Sequence, residues 1–370
     1  MKRLRVGVVG VGHLGQHHAR ILAARPDVEL VAVADSRAEQ AQTVADRLGT
    51  RAVRDYRDLL GHVEAVSIAV PTALHREVAG SFLARGVASM VEKPLASSLA
   101  EAEQLVRIAH GAGALLQVGH IERFNPALAA LQSMAIRPKY ISAERLSTYT
   151  FRSSDIGVVL DLMIHDIDLV LSLVPAPVRS VAAVGVSLFG DHEDVANARV
   201  EFADGTVANL TASRASYAAL RKMRIWAGEG YASLDFAARS ATLVRPSDEF
   251  LAGQLDLEGV DVSQPAAVKE HLFGKVLRVD RVQPEGNDQL PLELDEFVRA
   301  VRGEVTPRVR GDDALRAMRL ADQVLKSLDA HHWDGEGSPA PLPAESTSVL
   351  HGPHAWRLRS LRPGARTAGH

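Results

Sequence analysis

Three side chains in this sequence have the types and surroundings to move a proton and steady a developing charge: Lys93, Asp161 and His165. Lys93 stands in Glu92-Lys93-Pro94, at the end of the apolar run 88–92, and the carboxyl ends of strands are where open α/β sheets receive ligands. An ammonium there hydrogen-bonds a substrate hydroxyl and stabilises negative charge as an alcohol becomes a ketone. Pro94 narrows the conformations open to Lys93. Asp161 and His165 are four residues apart in a segment of helical period, which puts both on one face. A neutral imidazole accepts the hydroxyl proton while a nearby carboxylate orients it. Each feature also has a plainer reading, as a solvated lysine or as a polar stripe on a helix that carries Asp166 and Asp168 as well. One histidine among aspartates on one helix is a poor zinc set, so no metal centre is expected.

Oxidation of an alcohol needs a hydride acceptor, and the N-terminal region has the signature of a dinucleotide site. Gly10-Val11-Gly12-His13-Leu14-Gly15 follows the strand-like run 5–9 and opens a helical pattern. Gly10 permits the tight turn, Gly12 lets the backbone approach a pyrophosphate, and Gly15 lets helix and strand pack closely. The helix start offers its N–H groups to phosphate. Asp35, twenty residues beyond Gly15, closes the run 29–34 and suits the adenosine ribose hydroxyls. NAD is therefore the first choice of cofactor; Arg37, beyond Ser36, is suited to a 2′-phosphate and keeps NADP open.

The elements that must position these residues follow from the apolar pattern. Nearly uninterrupted runs at 5–9, 29–34, 65–70, 88–92 and 115–119 alternate with helical periods at 14–24, 38–48, 74–85 and 99–110. That alternation predicts an α/β fold with an N-terminal Rossmann doubly wound parallel sheet over 1–120. The rhythm then changes. A long strand at 139–150, a helix at 158–174, hairpins turning at Asp204-Gly205 and Gly228-Glu229-Gly230, and closing helices at 292–301 and 313–328 predict a C-terminal α/β domain. Its sheet is expected to be large, open, mixed and mostly antiparallel, over 121–330, for substrate binding and oligomerisation. The segment 331–370, with five prolines and no sustained period, reads as a flexible tail.

Composition narrows the setting. A net charge of −3 over 370 residues gives no general attraction to nucleic acid or anionic membranes, and no run reaches the ~18 apolar residues of a membrane span. The absence of cysteine excludes disulfides and thiolate chemistry, in keeping with a cytoplasmic protein.

Taken together, GVGHLGQHHAR (10–20), VADSR (33–37), VPTALHREVA (70–79), VEKPLA (91–96), VGHIERFNPA (118–127) and LDLMIHDIDL (160–169) make the chain resemble the Gfo/Idh/MocA oxidoreductases. The resemblance covers residues 1 to about 330. It implies that Lys93, Asp161 and His165 carry catalysis and that Val70, Thr72, His75, Glu92 and Lys93 approach the dinucleotide, together with Gly10, Gly12, His13, Leu14, Gly15, Asp35, Ser36 and Arg37. It also implies a cis Lys93–Pro94 bond and a homodimer or homotetramer. Many members have glycine where this chain has Met163, which is expected to change packing beneath the site.

The strings GHIERFNPA and LDLMIHDIDL are similar to those of members that oxidise the 3-hydroxyl of UDP-N-acetylglucosamine. Such a substrate brings a diphosphate, for which Arg123, Arg145, Arg152 and Arg214 are the candidate cations, with His165 at the sugar. Asn125 suits sugar hydroxyls or an N-acetyl group, and equally suits a helix cap. Two other readings stand beside this one: a dehydrogenase of a free polyol or monosaccharide, and a non-catalytic NAD-binding regulator.

Overall fold

A computed structural model describes residues 2–149, 156–189, 191–253, 263–283 and 288–331. Arg152 and nearly all of the segment expected to be a flexible tail lie outside them. The N-terminal half contains strands β1 (Leu4–Val9), β2 (Val28–Ala34), β3 (Arg51–Val53), β4 (Ala65–Ile68), β5 (Ala88–Glu92) and β6 (Leu116–Gly119). Helices α1 (Gly15–Ala23), α2 (Ala38–Leu48), α3 (His75–Leu83) and α4 (Leu99–Ala112) alternate with them. All six strands are parallel, in the order β3-β2-β1-β4-β5-β6. The order reverses between β1 and β4, which opens a crevice at their carboxyl ends. Val6, Val8, Val66 and Ile68 are wholly buried, as runs covered by helices on both faces require. β3 is too short for period-based reading to find.

The chain continues through a short helix α5 (Pro126–Ala129), strand β7 (Pro138–Leu146) and helix α6 (Ile164–Leu173). Strands β8 (Val178–Val186), β9 (Val195–Phe202), β10 (Val207–Ser213), β11 (Leu220–Ala227), β12 (Gly230–Asp235) and β13 (Ser240–Pro246) follow. After short helices α7 (Asp248–Leu251) and α8 (Pro265–His271) come β14 (Leu277–Val282), α9 (Gln289–Val301) and α10 (Gly311–Asp329). The eight strands form one sheet, β14-β13-β12-β11-β7-β10-β9-β8, antiparallel except for β7 with β10. β7 ends four residues before the expected 150, and its alternating burial fits a sheet with one face covered.

The expected 158–174 helix is wound in two ways. Val159–Met163 is a π-turn, and regular α-helix begins at Ile164. π-turns recur at functional sites because they re-aim side chains. Met163 is wholly buried, as expected of a residue that shapes packing there.

Packing does not follow the linear division at residue 120. The apolar face of α9 returns to the Rossmann sheet, where Leu294, Phe297 and Val298 pack with Val6, Val8, Ala19, Leu22 and Met90. Arg25 Nη1 lies 2.6 Å from Asp295 of α9. The helix also buries Glu293 completely, with neither carboxylate oxygen bonded to any described residue. Burial, and then the charges of Glu92 and Glu296, push its pKa well above the usual carboxylate range. A folded-state pKa above the unfolded one means that stability falls as pH rises through that interval. Glu293→Gln is therefore expected to add about 1–3 kcal/mol at pH 8 and less at pH 5. Thermal unfolding at both pH values measures this, and an equal gain at each would be the wrong outcome.

Candidate active site

The glycine turn has the shape that a dinucleotide needs. Gly10 has φ +80°, and a Cβ there would lie 2.6 Å from the carbonyl oxygen of Ala69. A Cβ on Gly15 would overlap the carbonyl oxygen of Gly10, whereas one on Gly12 would meet nothing within 4 Å. Two glycines thus serve the tight strand–helix junction, and the third leaves its approach open for a diphosphate. A cleft of about 860 Å³ lies here, lined by Gly10, Gly12, His13, Leu14, Asp35, Ser36, Arg37 and Val70. Arg54, Asp55, Tyr56, Arg57 and Asp58, after β3, line it too; sequence reading missed them together with that strand.

Asp35 is held by the turn it serves. Its Oδ2 accepts the Val11 N–H at 3.0 Å and its Oδ1 the Arg37 N–H at 3.0 Å. Its carboxylate is fixed at the cleft wall, where it favours ribose hydroxyls and repels a 2′-phosphate. Asp35→Ala is expected to raise the Michaelis constant for NAD about 10- to 100-fold, the loss of a hydrogen bond to a charged group, and to raise the ratio of NADP to NAD efficiency. Initial rates with both coenzymes test this; an unchanged ratio would remove Asp35 from the ribose site.

Other residues assigned to the dinucleotide lie deeper. His75 is 1% exposed, with Nδ1 2.9 Å from the Pro94 carbonyl and Nε2 3.0 Å from that of Val70. Burial depresses its pKa, and the neutral ring has one N–H, so it donates to one of these two carbonyls, at the Val70 cleft wall or at the Lys93–Pro94 turn, whose peptide bond is cis. Glu92 also lies beneath the site. Its Oε1 is 3.1 Å from His18 Nε2, its Oε2 accepts the Lys93 N–H at 3.3 Å, and His18 Nδ1 meets Ser67 Oγ at 2.8 Å. A Cβ on Gly119 would come within 2.9 Å of that carboxylate, so glycine makes room for it. Thr72 is half-buried and opens a one-turn 3-10 helix after β4, outside the residues lining the cleft.

Lys93 and the π-turn meet, although they are far apart in the chain. Lys93 Nζ donates to the Asp161 carbonyl at 2.7 Å and to Asp161 Oδ1 at 3.1 Å. The turn is itself anchored: Glu193 Oε1 accepts the Val159 N–H at 2.9 Å, and a Cβ on Gly157 would overlap that carboxylate. His165 follows Asp161 on the same segment. Its pKa is depressed well below the usual imidazole value by burial, and further by Lys93, Arg145, His120 and Arg221. His120 packs edge-to-face on it with ring centroids 6.4 Å apart. Burial holds His120 neutral as well, despite Asp168. The Nδ1 atoms of both rings are buried without a partner among the described residues. His120 and His18 went unremarked in the sequence, although both stand inside quoted motifs.

Three of the four expected diphosphate cations require correction, the fourth, Arg152, lying outside the described residues. Arg145 is 3% exposed, gives two hydrogen bonds to Asp166 at 3.0 and 2.8 Å, and a third to Glu122 at 2.9 Å. Arg214 is buried against Asp194 at 2.6 Å and the Ile156 carbonyl at 2.8 Å. Arg123 grips Asp168 with two bonds of 2.6 and 3.1 Å. These guanidiniums are held by fixed carboxylates and act as struts. Asn125 is a cap: its Oδ1 accepts the Ala127 N–H, while its Nδ2 donates to Glu122 and to the Phe236 carbonyl. No cluster of three metal-ligating side chains occurs among the described residues, and no described helix is long and apolar enough to cross a membrane.

Comparison with known proteins adds independent findings. Residues 4–120 match the model of an oxidoreductase family with an NAD-binding Rossmann fold, and residues 134–233 match the GFO/IDH/MocA C-terminal domain. The chain is 44% identical over 331 residues to UDP-N-acetylglucosamine 3-dehydrogenase of Acidithiobacillus ferrooxidans, covering 89% of this chain and 99% of that protein. The solved structure of that enzyme superposes with a TM-score of 0.77 and 35% identity, over 89% and 99% of the two chains. Inositol 2-dehydrogenase of Rhizobium meliloti is 24% identical, over 88% of this chain and 97% of its own.

Proposed function

Because the chain belongs to the Gfo/Idh/MocA oxidoreductase family, with its NAD-binding Rossmann fold, we propose that it oxidises the 3-hydroxyl of UDP-N-acetylglucosamine to a ketone. The substrate comes from the 44% identical relative that spans nearly its whole length; the more distant inositol dehydrogenase supports the polyol alternative less well. The single observation that carries the chemistry is the convergence of Lys93 on Asp161, one turn before His165. A regulator without turnover needs no such arrangement.

NAD, when bound, supplies the hydride acceptor. Gly10, Gly12, His13 and Leu14 would hold its diphosphate, and Asp35 its ribose. Lys93, fixed by two acceptors of Asp161, keeps an N–H for the reacting oxygen and stabilises its negative charge. His165 takes the hydroxyl proton. Its depressed pKa keeps it unprotonated at neutral pH, which a base requires, and Lys93 and Arg145 set that condition after burial. Asp161 acts through Lys93 by orienting it.

Pairing of subunits through the second sheet is part of this proposal. One face carries Tyr140, Trp226 and Tyr231 with centroids 5.1 and 5.2 Å apart, and Trp226 is 38% exposed. Such a patch suits a homodimer or homotetramer interface. The proposed setting is the cytoplasm, where NAD is available. The test is NADH fluorescence with purified protein, NAD, and a panel of nucleotide sugars and free polyols. Signal with UDP-N-acetylglucosamine supports the reading; signal with inositol alone overturns it.

A further inference from the structure

Arg123, Arg145 and Arg214 are committed to carboxylates and Arg152 lies outside the described residues, so the cation for a diphosphate is sought among the other described basic side chains near the site. Three basic side chains contribute to the field at His165: Lys93, Arg145 and Arg221. Lys93 is paired with Asp161, and Arg145 with Asp166 and Glu122. Arg221 differs: its guanidinium makes no hydrogen bond or ion pair with any described residue, and the side chain is exposed.

Its placement is set by the sheet. Arg221 lies on β11 directly opposite Arg145 of β7. Strand alternation puts it on the same face as Met223 and Ile225, which are wholly buried toward the helices. Its backbone carbonyl accepts the Phe236 N–H at 2.9 Å, and the Phe236 carbonyl in turn accepts from Asn125. Arg221 thus stands one strand away from Arg145, whose partner Asp166 adjoins His165. In a nucleotide sugar the diphosphate leaves from C1, two ring carbons from C3. A cation that meets the diphosphate must therefore stand a sugar's width from the base. An exposed guanidinium with no hydrogen-bond partner among the described residues keeps its donor fork available, and phosphate oxygens match that fork.

We infer that Arg221 binds the diphosphate of the substrate and selects diphosphate-linked sugars over free rings. This inference rests on the nucleotide-sugar reading above and names the residue that enforces it.

Two measurements separate the claims. UDP alone is titrated into the wild-type protein, Arg221→Ala and Arg221→Lys by calorimetry in the presence of NAD, and steady-state rates are taken with UDP-N-acetylglucosamine. Arg221→Ala is expected to weaken UDP and raise the Michaelis constant for the nucleotide sugar about 10- to 100-fold, with kcat within about threefold and NAD affinity unchanged. Arg221→Lys is expected to recover part of the loss, because charge returns without the fork. UDP affinity and Michaelis constant both unchanged in Arg221→Ala would overturn the assignment. A wild-type protein that binds UDP through Arg221 yet forms no NADH from UDP-N-acetylglucosamine would overturn the reaction while upholding the anion site.

Discussion

Lys93→Ala is expected to lower kcat by about 10³-fold and leave NAD affinity within about threefold of wild type. The rate effect is that of removing a preorganised donor from a developing oxyanion, together with help to proton transfer, about 4 kcal/mol of barrier. The binding half follows from location: Lys93 Nζ points to Asp161 on the π-turn, and the cleft is lined by the glycine turn, Asp35 and Val70. Lys93→Arg is expected to rescue little, because a planar fork does not reproduce a single ammonium set between the Asp161 carbonyl and carboxylate. Stopped-flow turnover and fluorescence titration with NADH separate the two halves. A variant retaining a tenth or more of its kcat would take Lys93 out of the chemistry.

The second large effect concerns His165 and carries a sign. Burial first, then the cations Lys93, Arg145 and Arg221, lower its pKa, as does His120. Neutral imidazole is the active form of a base, so activity persists as pH falls through 6.5 and is lost only well below it. His165→Asn is expected to cost about 10²- to 10⁴-fold in kcat and to abolish that acid limb. Rates from pH 5 to 9 give both readings. A limb at or above 6.5, or one that survives the substitution, would point to another base.

The dinucleotide half of the site was legible because its requirements are local. Gly10, Gly12, Gly15 and Asp35 lie within one strand–helix–strand unit, and each answers a backbone or charge demand that the spacing displays. Lys93, Asp161 and His165 were legible as types and as a family pattern, while their meeting depends on how α6 and its π-turn dock against the end of β5. The arginines were misread for a plain physical reason. Whether a guanidinium is free depends on partners distant in sequence, and Arg145 finds Asp166 and Glu122 more than twenty residues away on either side. Arg221 escaped notice because its place opposite Arg145 appears only when β11 pairs with β7, a contact between strands distant in sequence. β3, with three residues, carried no period, and the cleft residues Arg54 to Asp58 went unseen with it. The return of α9 to the first sheet was equally hidden, since an amphipathic helix shows that it needs a partner and not which one.

The most direct measurement of the central claim uses UDP-N-acetylglucosamine carrying deuterium at C3, incubated with NAD and the purified protein. The arrangement of Lys93 and His165 predicts that deuterium appears at C4 of the reduced nicotinamide, with a 3-keto nucleotide sugar as co-product and a slower rate than the protiated substrate. Reduced coenzyme without deuterium, or none at all while UDP-N-acetylglucosamine binds, would contradict it.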